Sequence, residues 1–141
     1  MTVFVDTSAF YAVVDRDDAS HAAAKQQWTK LLRDETDLCT TNYVLVETMA
    51  LLQHRIGIHA ARRFHEDVAP LLRIAWVKEE SHKAGAEAVL SAGRRRLSLV
   101  DCVSFHTMRD NGIRTAFAFD ADFGEQGFSV LPCPTQPTPA R

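Results

Sequence analysis

The sequence has no apolar run approaching the roughly 20 residues needed to cross a bilayer, and its first such run, TVFV, stops at Asp6. Neither a membrane span nor a secretory leader is expected. Cysteine is scarce. Cys39, Cys102 and Cys133 form an odd set without CxxC spacing, which excludes a disulfide framework or a thiolate zinc site and fits a reducing cytoplasm. The histidines (His21, His54, His59, His65, His82 and His106) lack the i, i+4 pairing that puts two imidazoles on one helical face for a metal. An excess of either charge is missing too. With 16 basic and 18 acidic residues the net charge is −2, so no global field attracts a polyanion, which must be held by a local basic patch or through metal. Proline is almost absent until the end, where PCPTQPTPAR carries four of the five. This separates a domain at 1–131 from a tail at 132–141 expected to be extended or disordered.

What is present is a chain of 141 residues, 46% hydrophobic, enough for one domain with its own core. TVFV reads as a buried strand, followed at DTSAFYAVVD by a helix whose start Asp6 to Ser8 can cap. A helix is expected from Asp17 to Leu32, a short strand at DLCTT, and an apolar core helix between Asn42 as N-cap and Gly57 as C-cap. IHAARRFHEDVAPLL reads as one further helix, RIAWV as a buried strand, and EESHKAGAEAVLSAG as a helix ending near Gly93. In LSLVDCVSFHTMRDNGI, Ser98 precedes Asp101 by three residues, the spacing of a capping box with Asp in place of Glu. TAFAF and FSVL complete the strands, with DADFGEQG as a loop or short helix between them. Tyr11, Phe10 and Trp28 read as core or interface aromatics. Strands that alternate with helices imply a mostly parallel sheet covered on both faces, and in such sheets ligands bind beyond the carboxyl ends of the strands.

Four acids gather at that edge in this scheme. Asp6 and Asp120 end strands, Asp101 lies in a first helical turn, and Glu47 lies in a helix that starts just after a strand. Clustered carboxylates stay ionised only around a cation. Oxygen ligands alone favour a hard ion such as Mg²⁺ or Mn²⁺, which can polarise a phosphoryl oxygen and activate water. Each acid taken singly also has an ordinary reading, Asp101 as a cap and Asp6, Asp120 and Asp122 as turn residues. Glu47 is the hardest to explain that way, because apolar neighbours surround it in sequence.

The ordered stretches VFVDTSAFYAVVDRDDASH, TTNYVLVET, LSLVDCVSFHTM and AFAFDADFGEQGF make the chain resemble the PIN-domain ribonucleases, and more narrowly the VapC toxins of toxin–antitoxin pairs. The resemblance spans nearly the whole chain. It implies an α/β/α three-layer sandwich with a mostly parallel central sheet, commonly dimeric, that cuts RNA with Mg²⁺ (Mn²⁺ as substitute) and is silenced by a cognate antitoxin. It further implies Asp6 and Asp101 as principal metal ligands, with Glu47 and Asp120 completing the site. Thr7, Ser8, Asn42, Ser104 and Asp122 are then auxiliaries, and Arg94, Arg95 and Arg96 are the basic run that could hold phosphate. Relatives usually carry Thr or Ser where this chain has Ala118. Two other activities compete: a phosphatase that forms an aspartyl-phosphate, since VFVDTS ends a strand with Asp, and a binding module that has lost turnover. A PIN nuclease of RNA processing that is not a toxin is a further alternative.

Overall fold

The computed structural model describes residues 1–133, so the rest of the proline-rich tail, 134–141, lies outside the described residues. Five strands, β1 (Thr2–Val5), β2 (Asp37–Thr41), β3 (Arg73–Ala75), β4 (Thr115–Phe117) and β5 (Ser129–Leu131), form one sheet in the order β3-β2-β1-β4-β5. All pairings are parallel. Parallel neighbours need crossover connections, and seven α-helices supply them: α1 (Thr7–Val14), α2 (His21–Arg33), α3 (Asn42–Arg55), α4 (Ile58–Arg63), α5 (Glu79–Ala92), α6 (Leu99–Asp110) and α7 (Asp122–Glu125). This is the expected α/β architecture.

The central strands are apolar because helices cover both faces of the sheet. Val3, Phe4, Val5, Ala116 and Phe117 are fully buried. Phe10 from α1 meets Phe64 edge-on at 5.0 Å and Trp28 at 6.3 Å, while Phe105 meets Phe123 at 5.0 Å, arrangements that suit aromatic quadrupoles. Gly85 lets α5 approach α6 closely; a Cβ there would lie 2.4 Å from Val103 Cγ2.

The course of the sheet positions the site. The chain builds outward from β1 through β2 to β3, then crosses to the other side of β1 to lay down β4 and β5. The order therefore reverses between β1 and β4, and the crevice beyond their carboxyl ends is where open α/β sheets bind ligands. Asp6 follows β1, and Asp120 lies just past β4.

Several local expectations give way. Helix α2 starts at His21 and not at Asp17, because Asp15 Oδ1 accepts from Asp17 N at 3.0 Å and Asp18 Oδ1 from Ser20 N at 2.8 Å, turn bonds that hold this segment out of the helix. The N-cap of α3 is Thr41, whose Oγ1 accepts from Val44 N, while Asn42 is its first residue. Gly57 stands one residue beyond the Ile56 C-cap at φ 132°. The segment after Ile58 is not one helix but α4, a π turn at Phe64–Val68 and a 3-10 turn at Ala69–Leu71. Pro70 explains the break, as its ring removes an N–H and crowds the preceding turn. Strand β3 is an edge strand, and Trp76 beyond it is exposed. The core face of α3 is narrower than expected, with Val44, Thr48 and Leu52 buried and Val46 exposed.

Candidate active site

Asp6 is the N-cap of α1 and is 3% exposed. Its Oδ2 accepts from Ser8 N at 3.1 Å and from Ser8 Oγ at 2.7 Å, and its own N–H donates to Phe117 O at 3.0 Å. Ser8 Oγ in turn accepts from Phe119 N at 2.9 Å. One hydroxyl thus ties the end of β1 to the end of β4. Burial pushes Asp6 up to about 7 against those hydrogen bonds, and the charges of Asp101 and Glu47 add to the rise.

Asp101 is held by the capping box. Ser98 Oγ accepts from Asp101 N at 3.1 Å, and Asp101 Oδ2 accepts from Ser98 N at 3.2 Å. The box engages one carboxylate oxygen, so the capping reading and a ligand role are compatible. Burial raises this group as well, with the Ser98 bonds opposing and Asp120 adding to it. Glu47 projects from the second turn of α3 and is half-buried; burial raises its carboxyl, Thr7 opposes the rise, and Asp101 and Asp120 reinforce it.

Asp6, Glu47, Asp101 and Asp120 line one cavity of about 400 Å³, together with Thr7 and Ser8. Acids far apart in sequence share this cavity because each sits at the same edge of the sheet. Asp120 Oδ1 accepts from Asp122 N at 2.9 Å, a local turn. Asp122 lies close by: carboxylate oxygens of Asp101, Asp120 and Asp122 all lie within 4.8 Å of one another. Burial and the neighbouring Asp120 push Asp122 up to about 6. This all-oxygen donor set, with the Asp101 and Asp122 carboxyls raised first by burial and then by neighbouring acids, fits a hard divalent ion.

Two expected auxiliaries lie elsewhere. Asn42 Oδ1 accepts from Val77 N at 2.7 Å, pinning the segment after β3. Ser104 is fully buried and donates to Val100 O at 2.8 Å within its own helix, so sharing a face with Asp101 does not bring it into the cavity. Thr7 is buried and accepts from Thr48 Oγ1 at 3.3 Å. The arginine run divides. Arg96 lines the acidic cavity, Arg94 reaches Glu125 at 3.5 Å and Asp122 at 3.9 Å, and Arg95 is exposed. Ala118 is buried, and its N–H donates to Leu131 O at 3.1 Å; the strand end beside it is held by the Ser8 hydroxyl instead.

Sequence reasoning missed Arg55, Tyr11, Asp18 and Ser20, which also line the cavity. The Arg55 guanidinium lies 5.4 Å from the centre of the Tyr11 ring, a cation–π contact that preorganises it. A signal existed: Glu47, Leu51 and Arg55 follow one another at i, i+4 and i+8, and all three line the cavity. The result is an acidic floor with two arginines at its margin.

Comparison with known proteins bears on the family and the fold. The chain matches the PIN domain over residues 3–128. It is 35% identical over 127 residues, 89% of this chain and 95% of the relative, to the 23S rRNA-specific endonuclease VapC20 of Mycobacterium tuberculosis. The crystal structure of that protein, described as a sarcin-ricin loop cleaving toxin, superposes with a TM-score of 0.80 at 35% identity, covering 89% of this chain and 95% of the other. FitAcB from Neisseria gonorrhoeae shares the fold, with a TM-score of 0.66 at 14% identity over 92% of this chain and 96% of that one.

Proposed function

The chain belongs to the PIN-domain family, and from that premise we propose that it is a divalent-metal-dependent endoribonuclease acting as the toxin of a toxin–antitoxin pair. The observation that carries this reading is the meeting of Asp6, Glu47, Asp101 and Asp120 in one cavity at the switch point of the sheet, with Asp122 beside them. Asp101, Asp120 and Asp122, with Asp6, would hold the ion, Mg²⁺ by preference and Mn²⁺ as substitute. When bound, such an ion supplies positive charge against a phosphoryl oxygen and a more acidic water.

The protein's own groups supply the rest. Glu47, half-buried and raised, is placed to take a proton from an attacking water. Asp6 is fixed by Ser8, so its carboxylate needs no reorientation. Arg55 and Arg96 offer planar, permanently charged forks to phosphates on either side of the acids. These two compensate for the absence of a global positive field. Arg94 is already engaged by acids, which leaves Arg96 as the member of its run best suited to RNA.

Ribosomal RNA is the first substrate to test, being what the similar VapC20 is named for. The cognate antitoxin would silence the site by placing an arginine among the carboxylates. A homodimer is the expected assembly, for which the exposed Val46, Trp76 and Leu90 provide apolar surface, and the cytoplasm is the expected compartment. No helix among the described residues is long and apolar enough to cross a membrane. The cavity lining contains arginines but no lysine among the described residues, which disfavours an aspartyl-phosphate phosphatase. The deciding experiment incubates purified protein with large-subunit rRNA and with Mg²⁺, Mn²⁺ or chelator. Metal-dependent cleavage that disappears in Asp6→Asn and Asp101→Asn is expected, and equal cleavage by these variants would refute the assignment.

A further inference from the structure

Beside the acids lies a second and larger cleft, about 710 Å³ as bounded by the described residues, between one face of α2 and the β5–α7 side of the sheet. Phe119 and Asp120 line both this cleft and the acidic cavity, so the two adjoin. Its α2 wall presents Ala23, Gln26, Gln27 and Lys30, spaced i, i+3, i+4 and i+7 and therefore on one helical face. That face is distinct from the one that buries Ala24, Trp28 and Leu31. Opposite stand small or apolar residues, Ala121, Gly124, Val130 and Pro132, whose lack of bulk creates the space.

The chemistry of this lining is unusual for a surface groove. Apolar walls suit the faces of a planar ring, an aromatic at the junction offers stacking, and two carboxamides offer paired donors and acceptors of the kind that read base edges. Lys30 adds a positive charge on the α2 wall. The volume is that of a small-molecule site.

We propose that this cleft is a nucleotide subsite, which receives the base next to the phosphate held at the acids, with Gln26 and Gln27 reading its edge and Lys30 meeting a phosphate. It rests on the endoribonuclease reading for its biological sense, but its occupancy is testable separately.

The full chain carrying Asp6→Asn, labelled with ¹⁵N, is titrated with each of the four 5′-mononucleotides and with inorganic phosphate. The side-chain amide signals of Gln26 and Gln27 and the backbone signals of Ala121 and Gly124 should move with at least one nucleotide and not with phosphate alone. Adding Ala23→Trp, a substitution at an exposed helical position that fills the cleft, should weaken that nucleotide at least tenfold. On RNA randomised around the cut, the otherwise wild-type chain should show a base preference at one flanking position. Gln27→Ala should erase that preference, and Ala23→Trp should lower kcat/KM at least tenfold, mainly through KM. Absence of these shifts, or an unchanged base preference in both variants with circular dichroism matching the parent, would overturn the subsite. If the parent chain cleaves no RNA, the nuclease reading fails while the titration still decides the cleft. If nucleotides leave Gln26 and Gln27 unmoved but Ala23→Trp abolishes complex formation with a co-expressed antitoxin, the cleft belongs to a protein partner and the proposal is overturned.

Discussion

Two aspartates at opposite ends of the sheet make an instructive pair. Asp37, at the amino end of β2, faces solvent and receives Arg73 Nη2 at 3.0 Å, Arg73 Nε at 3.3 Å and Thr2 Oγ1 at 2.9 Å. Those partners hold its carboxyl below the usual range. Asp6, at the carboxyl end of the adjacent strand, is buried among other acids, receives only Ser8, and rises to about 7. One end of the fold neutralises its own charge with a direct ion pair, whereas the other gathers acids whose carboxyls are raised by burial and by one another. The first arrangement favours the folded state, whereas the second costs stability whenever its carboxyls are ionised, which is the pattern expected of a functional site.

The largest difference should appear when each acid is neutralised in turn. Asp6→Asn should reduce RNA cleavage at least roughly a thousandfold, about 4 kcal/mol of transition-state stabilisation. Asp37→Asn should leave cleavage within about twofold and cost less than about 1 kcal/mol of stability, as expected of an exposed pair. Initial rates and denaturant titrations of both variants check this.

Stability against pH should separate the two ends next. Between the unfolded value of 3.8 and about 7 the folded chain binds more protons at Asp6 than the unfolded chain does. Metal-free protein should therefore lose stability as pH rises through that interval, by up to about 1.4 kcal/mol per unit from this group. Asp37 has the opposite sign, since its depressed carboxyl contributes above its unfolded value and is lost on acidification. Thermal denaturation of metal-free protein at a series of pH values should show the Asp6 slope, flattened by Asp6→Asn and by saturating Mg²⁺.

Gly85 probes the support beneath Asp101. Gly85→Ala forces a Cβ to within 2.4 Å of Val103 Cγ2 unless the helices part, and should cost about 1–3 kcal/mol by overpacking. The melting temperature should fall, and cleavage at low temperature should fall with it if α6 shifts. The smallest effect is expected from Arg94→Ala. This half-exposed side chain contributes less than about 1 kcal/mol to stability, but its loss frees Asp122, so metal affinity measured by calorimetry should rise by a few-fold at most.

The fold was legible where signals are local. The alternation of TVFV, DLCTT and TAFAF with amphipathic stretches indicated a parallel α/β sheet, and the Ser98–Asp101 spacing indicated a capping box. The convergence of Asp6, Glu47, Asp101 and Asp120 followed from strand ends sharing an edge. What escaped depends on contacts a one-dimensional pattern does not carry. Asn42 has the chemistry of a cap, but Thr41 took that role and left the amide to Val77. Ser104 shares a helical face with Asp101, yet its hydroxyl is spent on the carbonyl of Val100. Asp122 read as a turn residue or an auxiliary, and its approach to Asp101 depends on tertiary packing that the local pattern does not carry.

The Ser8 hydroxyl gives its single proton to one acid's carboxylate while receiving the amide of Phe119, so one rotor adds a side-chain link to the backbone bond that already joins the two strand tips. Threonine could take over that linkage and alanine could not. In the alanine protein the Phe119 amide would lose its acceptor and the Asp6 carboxylate one of its two donors, leaving backbone bonds alone to join the two tips.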